Sequence, residues 1–164
     1  MRICFFRHGP AAAPGEGGVS EEERPLTAEG IEKTRRAARG LQGLDLGIDL
    51  VLSSPLRRAR QTAEILAEVL GGARPRISDR LLPGVSGPKL LECLQGVKAE
   101  SPVLVGHEPS LSAAVAALVG APETGALRLK KAGLAVVETD GPVPGPRGTL
   151  VLLLTPSALR GLAE

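Results

Sequence analysis

Three short apolar runs, each followed by a segment with helical periodicity, constrain the fold of this chain more than any other feature of its sequence. The runs are Arg2–Phe6, Asp49–Ser53 and Pro102–Gly106. Runs of this kind are typical of buried strands, and their alternation with helices indicates a parallel sheet covered by helices. We therefore predict an α/β fold with a mainly parallel central sheet. The 164 residues correspond to about one domain, so we expect a single domain over residues 1–164.

The helical segments carry apolar residues three and four positions apart, as expected of helices that bury one face. Thr27 is a suitable cap for a helix that runs to about Leu44, with Ile31 on its apolar face. Ser54-Pro55 is expected to open a second helix, because proline is well tolerated in the first turn, and Gly71-Gly72 to end it. The other predicted elements are a loop over Pro10–Glu23, a strand near Arg76–Ser78, helices over Pro88–Lys98, from Pro109 and from Ser157 to the end, strands over Gly133–Glu138 and Thr149–Leu154, and a proline-rich turn over 141–148.

Composition and charge exclude several classes of function. The net charge is only +2 and the chain has no Trp or Tyr, so it lacks the basic and aromatic residues that nucleic-acid binding uses. No apolar run is long enough for a membrane span and no targeting signal is visible, so we expect no membrane association. Cys4 and Cys93 lie in apolar and helical segments, which indicates core residues of a reduced, cytoplasmic protein. No carboxylate cluster has metal-ligand spacing, and we predict neither a metal nor a cofactor.

Polar clusters follow three of the predicted strands directly. They are Arg7-His8-Gly9, the segment from Ser53 to Arg58, and Gly106-His107-Glu108, and they contain both histidines of the chain. In open α/β sheets, ligands bind in the crevice beyond the carboxyl ends of the strands. If the three strands are neighbours, these clusters meet in that crevice.

Two guanidiniums and two imidazoles in one pocket suit a dianionic phosphoryl group. Arg7 and Arg58 would supply bidentate donors that match phosphate oxygens. Nearby arginines disfavour a protonated histidine, and a neutral imidazole with a free lone pair is a competent nucleophile for phosphorus. Gly9 would let the backbone approach closely and could fix the tautomer of His8 through a neighbouring carbonyl.

The same segments resemble the signatures of the histidine phosphatase superfamily, which includes the cofactor-dependent phosphoglycerate mutases. Residues 7–9 (RHG) resemble its signature after the first strand, and residues 24–30 (RPLTAEG) resemble its RPLTxxG segment. Residues 53–62 (SSPLRRARQT) resemble SSxxxRAxQT, and residues 105–109 (VGHEP) resemble VGHxP. The resemblance implies a three-layer α/β/α sandwich of the phosphoglycerate mutase type.

The resemblance also implies a role for each matching residue. His8 would become phosphorylated, Arg7 and Arg58 would bind the phosphoryl oxygens, and His107 would hydrogen-bond the same group and stabilise the transition state. Arg58, rather than Arg57, aligns with the family arginine, because it directly precedes the Ala-x-Gln-Thr stretch.

Within the superfamily, the short chain with its RHGxAA segment resembles the SixA-type phosphohistidine phosphatases. Where mutases and many esterases carry an acidic residue after the second helix, only Asp79 is nearby. An alkoxide leaving group needs a proton from such an acid, whereas an imidazole leaving group needs less help. The chain therefore resembles a phosphatase for a histidine-phosphorylated signalling protein, although Glu108 or a glutamate of the 16–23 loop could serve as the acid. Arg24 could contact substrate at the rim or pair with the acidic run 21–23.

Alternatives to this interpretation come from several classes. A small-molecule phosphomonoesterase of the same fold is the first, and a catalytically idle phosphoryl-binding module is the second. The idle module is disfavoured by the complete set Arg7, His8, Arg58 and His107. Mutase activity is disfavoured by the short chain, and a P-loop protein by the absence of a GxxxxGK[ST] pattern.

Overall fold

The computed structural model describes residues 1–72, 74–123, 125–141, 143 and 147–163. Within these ranges the strands are β1 (Arg2–Arg7), β2 (Leu50–Ser53), β3 (Arg76–Ile77), β4 (Pro102–Gly106), β5 (Leu134–Glu138) and β6 (Thr149–Leu154). The α-helices are α1 (Ala28–Gly43), α2 (Arg57–Leu70), α3 (Gly87–Leu91), α4 (Ser110–Val119) and α5 (Pro156–Gly161), and short 3-10 turns occupy Glu16–Gly18, Asp79–Leu81 and Glu92–Leu94.

The strands form one sheet in the order β3-β2-β4-β1-β5-β6. The first four strands are parallel, and β5 and β6 join β1 in antiparallel pairings. The expectation of a mainly parallel sheet is therefore confirmed: four of the six described strands are parallel, and they include the strand–helix units β1–α1, β2–α2 and β4–α4. The antiparallel edge comes from the two later strands.

Helices cover both faces of the sheet, which confirms the three-layer α/β/α architecture. On β1, Cys4 and Phe6 pack with residues of α1, α2 and α5, while Ile3 and Phe5 pack with residues of α3 and α4. All four side chains are fully buried. Successive side chains of a strand point to opposite faces, so an uninterrupted apolar run is what a strand covered on both sides requires.

Several predicted boundaries are confirmed. Thr27 caps α1, since its side-chain hydroxyl accepts a hydrogen bond from the Gly30 N–H at 2.9 Å. Gly71 ends α2 in a left-handed conformation (φ 68°), which a residue without a Cβ adopts at little cost. The prediction for Pro102–Gly106 matches β4 residue for residue, and that for Thr149–Leu154 matches β6.

Other boundaries were wrong, for local reasons. The second helix begins at Arg57 rather than at Pro55, because Leu56 is extended and the Ser54 hydroxyl accepts its N–H at 3.3 Å. Ile31 is 37% exposed, so it lies outside the buried face of α1. The helix predicted over Pro88–Lys98 is α3 followed by the 3-10 turn Glu92–Leu94, and the final helix ends at Gly161. Much of the turn predicted over 141–148 lies outside the described residues. None of the helices in the described part of the chain is both long and apolar enough to cross a bilayer.

Candidate active site

The register of the central strands brings the three polar clusters together. Arg7 of β1 pairs with Gly106 of β4, and Ser53 of β2 pairs with Val105 of β4. The residue that follows each strand therefore emerges at the same edge, and backbone hydrogen bonds continue the ladder there, from the His8 N–H to the Gly106 carbonyl and from the Ser54 N–H to the Val105 carbonyl. Sheet topology alone thus places His8 beside the segments that carry Arg58 and His107.

The two histidines lie next to each other in a buried position. Their ring centroids are 5.1 Å apart with the planes tilted by 52°, and the residues are only 5% (His8) and 3% (His107) exposed. Two imidazoles this close face the same small volume at the carboxyl end of β1 and β4.

His8 is held in one tautomer by the backbone of its own chain. Its Nδ1 lies 2.8 Å from the carbonyl oxygen of Gly9. A carbonyl oxygen only accepts hydrogen bonds, so Nδ1 carries the proton and donates, which leaves the lone pair on Nε2. This is the arrangement that a nucleophilic imidazole needs.

Burial keeps the His8 imidazole neutral. Burial is the main reason that the pKa of His8 is lowered to about 3. The hydrogen bond to Gly9 opposes burial, and His107, Arg58 and Arg7 act in the same direction as burial. The direction is the one that the sequence predicts, but its main cause is loss of solvent rather than the arginines. Burial likewise lowers the pKa of His107 to about 3, with Arg58 and Arg7 as the next causes.

Gly9 is fixed between two helices. Its N–H donates to Thr62 Oγ1 on α2 at 3.0 Å, and the same hydroxyl donates to the Arg58 carbonyl at 2.7 Å. On the other side, a Cβ at position 9 would overlap with Oγ1 of the fully buried Thr34 on α1. The backbone at Gly9 therefore approaches α1 closely, and the role of Gly9 in substrate binding stays a prediction.

Glu21, which the sequence indicated only as part of the acidic run 21–23, binds Arg58. Nη1 of Arg58 donates to the backbone carbonyl of Glu21 at 2.8 Å, and its Nη2 lies 3.0 Å from the carboxylate Oε1 of the same residue. The same Oε1 accepts from Nη2 of Arg24 at 2.7 Å. Arg24 thus pairs with the acidic run and at the same time lies beside Arg58. The Nε atoms of both arginines are buried and without a partner within the described residues.

Arg7 is the last residue of β1, and its guanidinium contacts the segment before β5. Its Nη1 donates to the carbonyl oxygen of Leu129 at 3.0 Å, and its Nε is buried with no partner in the described ranges. Burial lowers the pKa of Arg7, an effect that the nearby carboxylate of Glu108 partly opposes. The remaining donor capacity of the guanidinium is available for an anion.

His107 contacts a serine of the neighbouring strand end. Its Nε2 lies 2.8 Å from Ser54 Oγ, and the donor in this bond depends on the tautomer. Ser54 is fully buried and also accepts the Leu56 N–H. The hydroxyl therefore fixes the orientation of the second imidazole as well as the entry into α2.

The two carboxylates that were predicted as acids are placed differently from each other. Glu108 accepts hydrogen bonds on Oε1 from the Ser112 hydroxyl at 2.7 Å and from the Leu129 N–H at 2.9 Å. Asp79 is exposed at the start of the 3-10 turn Asp79–Leu81, and in the described part of the chain it has no hydrogen bond or ion pair with the site residues. Arg7, His8, Gly9, Arg58, His107, Arg24 and Glu108 lie at this end of the sheet. Asp79 follows the parallel edge strand β3 at the same end, and β2 lies between β3 and β4.

A cavity of about 420 Å³ opens beside Arg7. It lies between the start of α4 and the segment before β5, and its lining includes Arg7, Glu108, Ser112, Leu127, Arg128 and Leu129. Among the described residues no group of three or more His, Cys, Asp or Glu side chains could hold a metal ion. The positive charge next to the histidines comes from arginine side chains.

Sequence reasoning missed four contributors to this geometry. Ser54 and Thr62 lie inside the motif of residues 53–62, so the motif could have indicated that they belong to the site. The pairing of Glu21 with Arg58 had no signal beyond an acidic run. The Leu129 contact uses a backbone carbonyl, which residue type does not reveal.

Comparison with known proteins gives consistent similarities. A family model of the histidine phosphatase superfamily (branch 1) matches residues 3–82. An uncharacterized protein of Picosynechococcus sp. is 40% identical over 137 residues, which is 82% of either chain. The phosphohistidine phosphatase SixA of Escherichia coli (strain K12) is 39% identical over 70 residues, 43% of this chain and 42% of SixA. A solved structure of the protein histidine phosphatase SixA complexed with tungstate matches with a TM-score of 0.83 and 28% identity, and the match covers 97% of this chain and 99% of that one.

Proposed function

Because this chain belongs to the histidine phosphatase superfamily and to its SixA-type branch, we propose that it hydrolyses protein phosphohistidine through an intermediate phosphorylated on His8. The observation that carries the proposal is the state of His8: a buried, neutral imidazole whose Nδ1–H is bound to the Gly9 carbonyl and whose Nε2 is free to attack. The similarity to SixA supports the choice of substrate.

The proposed reaction has two transfers of the phosphoryl group. First, the lone pair of His8 Nε2 forms a bond to phosphorus while the bond from phosphorus to the substrate imidazole breaks. That imidazole leaves with the electron pair, and it is neutral when its other nitrogen already carries a proton. Water then attacks phosphorus, and a P–O bond forms as the P–Nε2 bond breaks. Nε2 recovers its lone pair, and the product leaves as dihydrogen phosphate with both protons of the water.

The arginines stabilise the charge on the phosphoryl oxygens during both transfers. Arg7 and Arg58 keep unused N–H donors, and each has a buried Nε without a partner in the ranges that the structure describes. Donors fixed before the reaction stabilise developing charge without reorganisation, and each is worth about 3–4 kcal/mol in comparable sites. On this proposal, the protein supplies the positive charge and needs no metal ion.

A small-molecule phosphomonoesterase is the second candidate, favoured by the cavity of about 420 Å³ beside Arg7. Pockets for small ligands fall within roughly 300–1,000 Å³, so the leaving group of a phosphate ester would fit.

The contacts of the described acids count against this second candidate. Glu108 accepts hydrogen bonds from Ser112 and the Leu129 N–H, and Asp79 has no hydrogen bond or ion pair with the described site residues. The Glu21 carboxylate pairs with Arg24 and Arg58, and the hydrogen bond from Arg24 lowers its pKa. An alkoxide leaving group would therefore need a proton from a carboxyl group that is already paired within the protein.

Comparing substrates tests the proposal and separates the two candidates. The purified protein is given a histidine-phosphorylated protein and, in parallel, sugar and nucleoside phosphates, with the His8→Ala variant as control. We expect kcat/KM to be at least tenfold higher on the phosphorylated protein, and both activities to vanish in the variant. A preference for the esters would favour the second candidate, and no turnover of either class would contradict both.

The proposed setting is the cytoplasm, with a histidine-phosphorylated signalling protein as partner. Cys4 is buried, Cys93 is half-buried, and both are free thiols. Burial raises the pKa of each to about 12, so neither is a ready thiolate. Unreactive core thiols are compatible with the reducing cytoplasm.

A further inference from the structure

Glu108 binds the segment before β5 to the start of α4. Its Oε1 accepts the Leu129 N–H at 2.9 Å and the hydroxyl of Ser112, one helical turn further along, at 2.7 Å. The Leu129 side chain is only 2% exposed, so this residue is anchored in the core as well as through its backbone. Glu108 therefore fixes where the backbone of Leu129 lies.

The other backbone group of Leu129 binds the candidate phosphate ligand Arg7. Its carbonyl oxygen accepts from Arg7 Nη1 at 3.0 Å. A continuous path thus runs from the Glu108 carboxylate through one residue of backbone to the guanidinium. The charge of Glu108 acts on Arg7 in the same sense, since it raises the pKa of Arg7 against the effect of burial.

This path gives Glu108 a different role from that of a proton donor. Both hydrogen bonds to Oε1 direct the carboxylate at Ser112 and Leu129. A general acid would have to lie within about 2.6–3.2 Å of the leaving group, or one water away. A carboxylate that accepts from a fixed backbone N–H is suited to holding a neighbour in place.

We propose that Glu108 is a positioning residue that orients Arg7 toward the phosphoryl group by fixing the backbone of Leu129. The proposal rests on the function proposed above, in which Arg7 binds phosphoryl oxygens. A guanidinium that binds an anion through two parallel bonds depends on its orientation, so a small rotation weakens both bonds.

The test compares Glu108→Ala, Glu108→Gln and the matched control Glu123→Ala. Glu123 is a second carboxylate in the lining of the same cavity, so its loss removes the same charge without removing the bond to Leu129. Each variant is measured for kcat and KM on a histidine-phosphorylated protein and for binding of inorganic phosphate by calorimetry. The thermal midpoint is recorded to show that each variant is folded.

We expect Glu108→Ala to weaken phosphate binding and to lower kcat/KM at least tenfold. Glu108→Gln should stay within threefold of the original protein, because the amide oxygen can accept the same two hydrogen bonds. Glu123→Ala should leave both quantities unchanged. In an Arg7→Ala background, Glu108→Ala should have less than a twofold further effect, since its role is exercised through Arg7.

Two results would overturn the proposal. One is full phosphate affinity in Glu108→Ala. The other is a Glu108→Gln variant as impaired as Glu108→Ala with the alkaline limb of its pH–rate profile lost, which is the signature of an acid. Phosphate binding needs no turnover. A protein whose phosphate affinity depends on Arg7 and Glu108 but that hydrolyses nothing would therefore refute the proposed function and leave this inference standing.

Discussion

Replacing Gly9 with alanine should disable His8 through a steric conflict with α1. The added Cβ would overlap with Oγ1 of Thr34, a fully buried and rotationally restricted side chain. Overpacking of this kind costs about 1–3 kcal/mol of unfolding free energy. The displaced backbone is also the one whose carbonyl holds His8 Nδ1, and a shift of about 1 Å at such a position can cost on the order of 100-fold in rate.

The conflict can be removed from the other side by Thr34→Ala. Oγ1 of Thr34 is buried without a hydrogen-bond partner in the described residues, so its removal breaks no hydrogen bond there. The small cavity left behind should cost about 1 kcal/mol. In the double variant, the new methyl group occupies the space that the threonine side chain vacates. The free-energy costs of the two substitutions should therefore not be additive.

The assay is a double-mutant cycle measured by urea unfolding and by kcat on phosphohistidine substrate. We expect a coupling free energy of about 1–3 kcal/mol in favour of the double variant and recovery of most of its activity. A fully active Gly9→Ala variant would refute this reasoning. So would a double variant as defective as Gly9→Ala, because the contact with α1 would then not position His8.

Three further predictions concern charge. Because His8 is neutral when folded but takes up a proton near its ordinary pKa of 6.5 when unfolded, acid favours the unfolded state. His8 should therefore lower the free energy of unfolding by about 2 kcal/mol between pH 7 and pH 5. Urea unfolding at both pH values should show a loss larger by this amount in the original protein than in His8→Gln. Arg58→Lys should lose about 2–4 kcal/mol of transition-state stabilisation, measured as kcat/KM. The control Arg57→Lys, at the exposed adjacent position, should leave kcat/KM unchanged, and equal effects of the two variants would show that the wrong arginine was assigned. Turnover should survive dialysis against a chelator and be inhibited by vanadate, a mimic of five-coordinate phosphorus, and a chelator-sensitive rate would disprove the metal-free proposal.

The parts of the fold that the sequence predicts well are those where one physical requirement dominates. The strand Pro102–Gly106 has to bury both faces, so its apolar run coincides with β4. Gly71 has a left-handed backbone at a helix end, which residue type signals directly. The start of α2 was misplaced because its position depends on the Ser54 hydroxyl, a tertiary contact that competes with the local preference of Pro55.

In the candidate site, too, the sequence predicts some features and misses those that depend on tertiary contacts. The sequence indicates which strands end in histidine and arginine, and the parallel register then brings these ends together. It cannot show which atoms are already bound within the protein. The pairing of Glu21 with Arg58 and the Leu129 carbonyl that receives Arg7 depend on loops whose course is set by packing. The exposed position of Asp79 depends on the strand order, which puts β3 at the edge of the sheet.

The most direct test of the account is to trap the enzyme during turnover and locate the phosphate. The protein is mixed with a substrate that carries a labelled phosphoryl group, quenched in alkali and mapped by mass spectrometry, with the attachment nitrogen resolved by NMR. The account predicts an acid-labile phosphate on Nε2 of His8, because Nδ1–H is bound to the Gly9 carbonyl. Phosphate on His107, on Nδ1 of His8, or on an acid-stable side chain would contradict it.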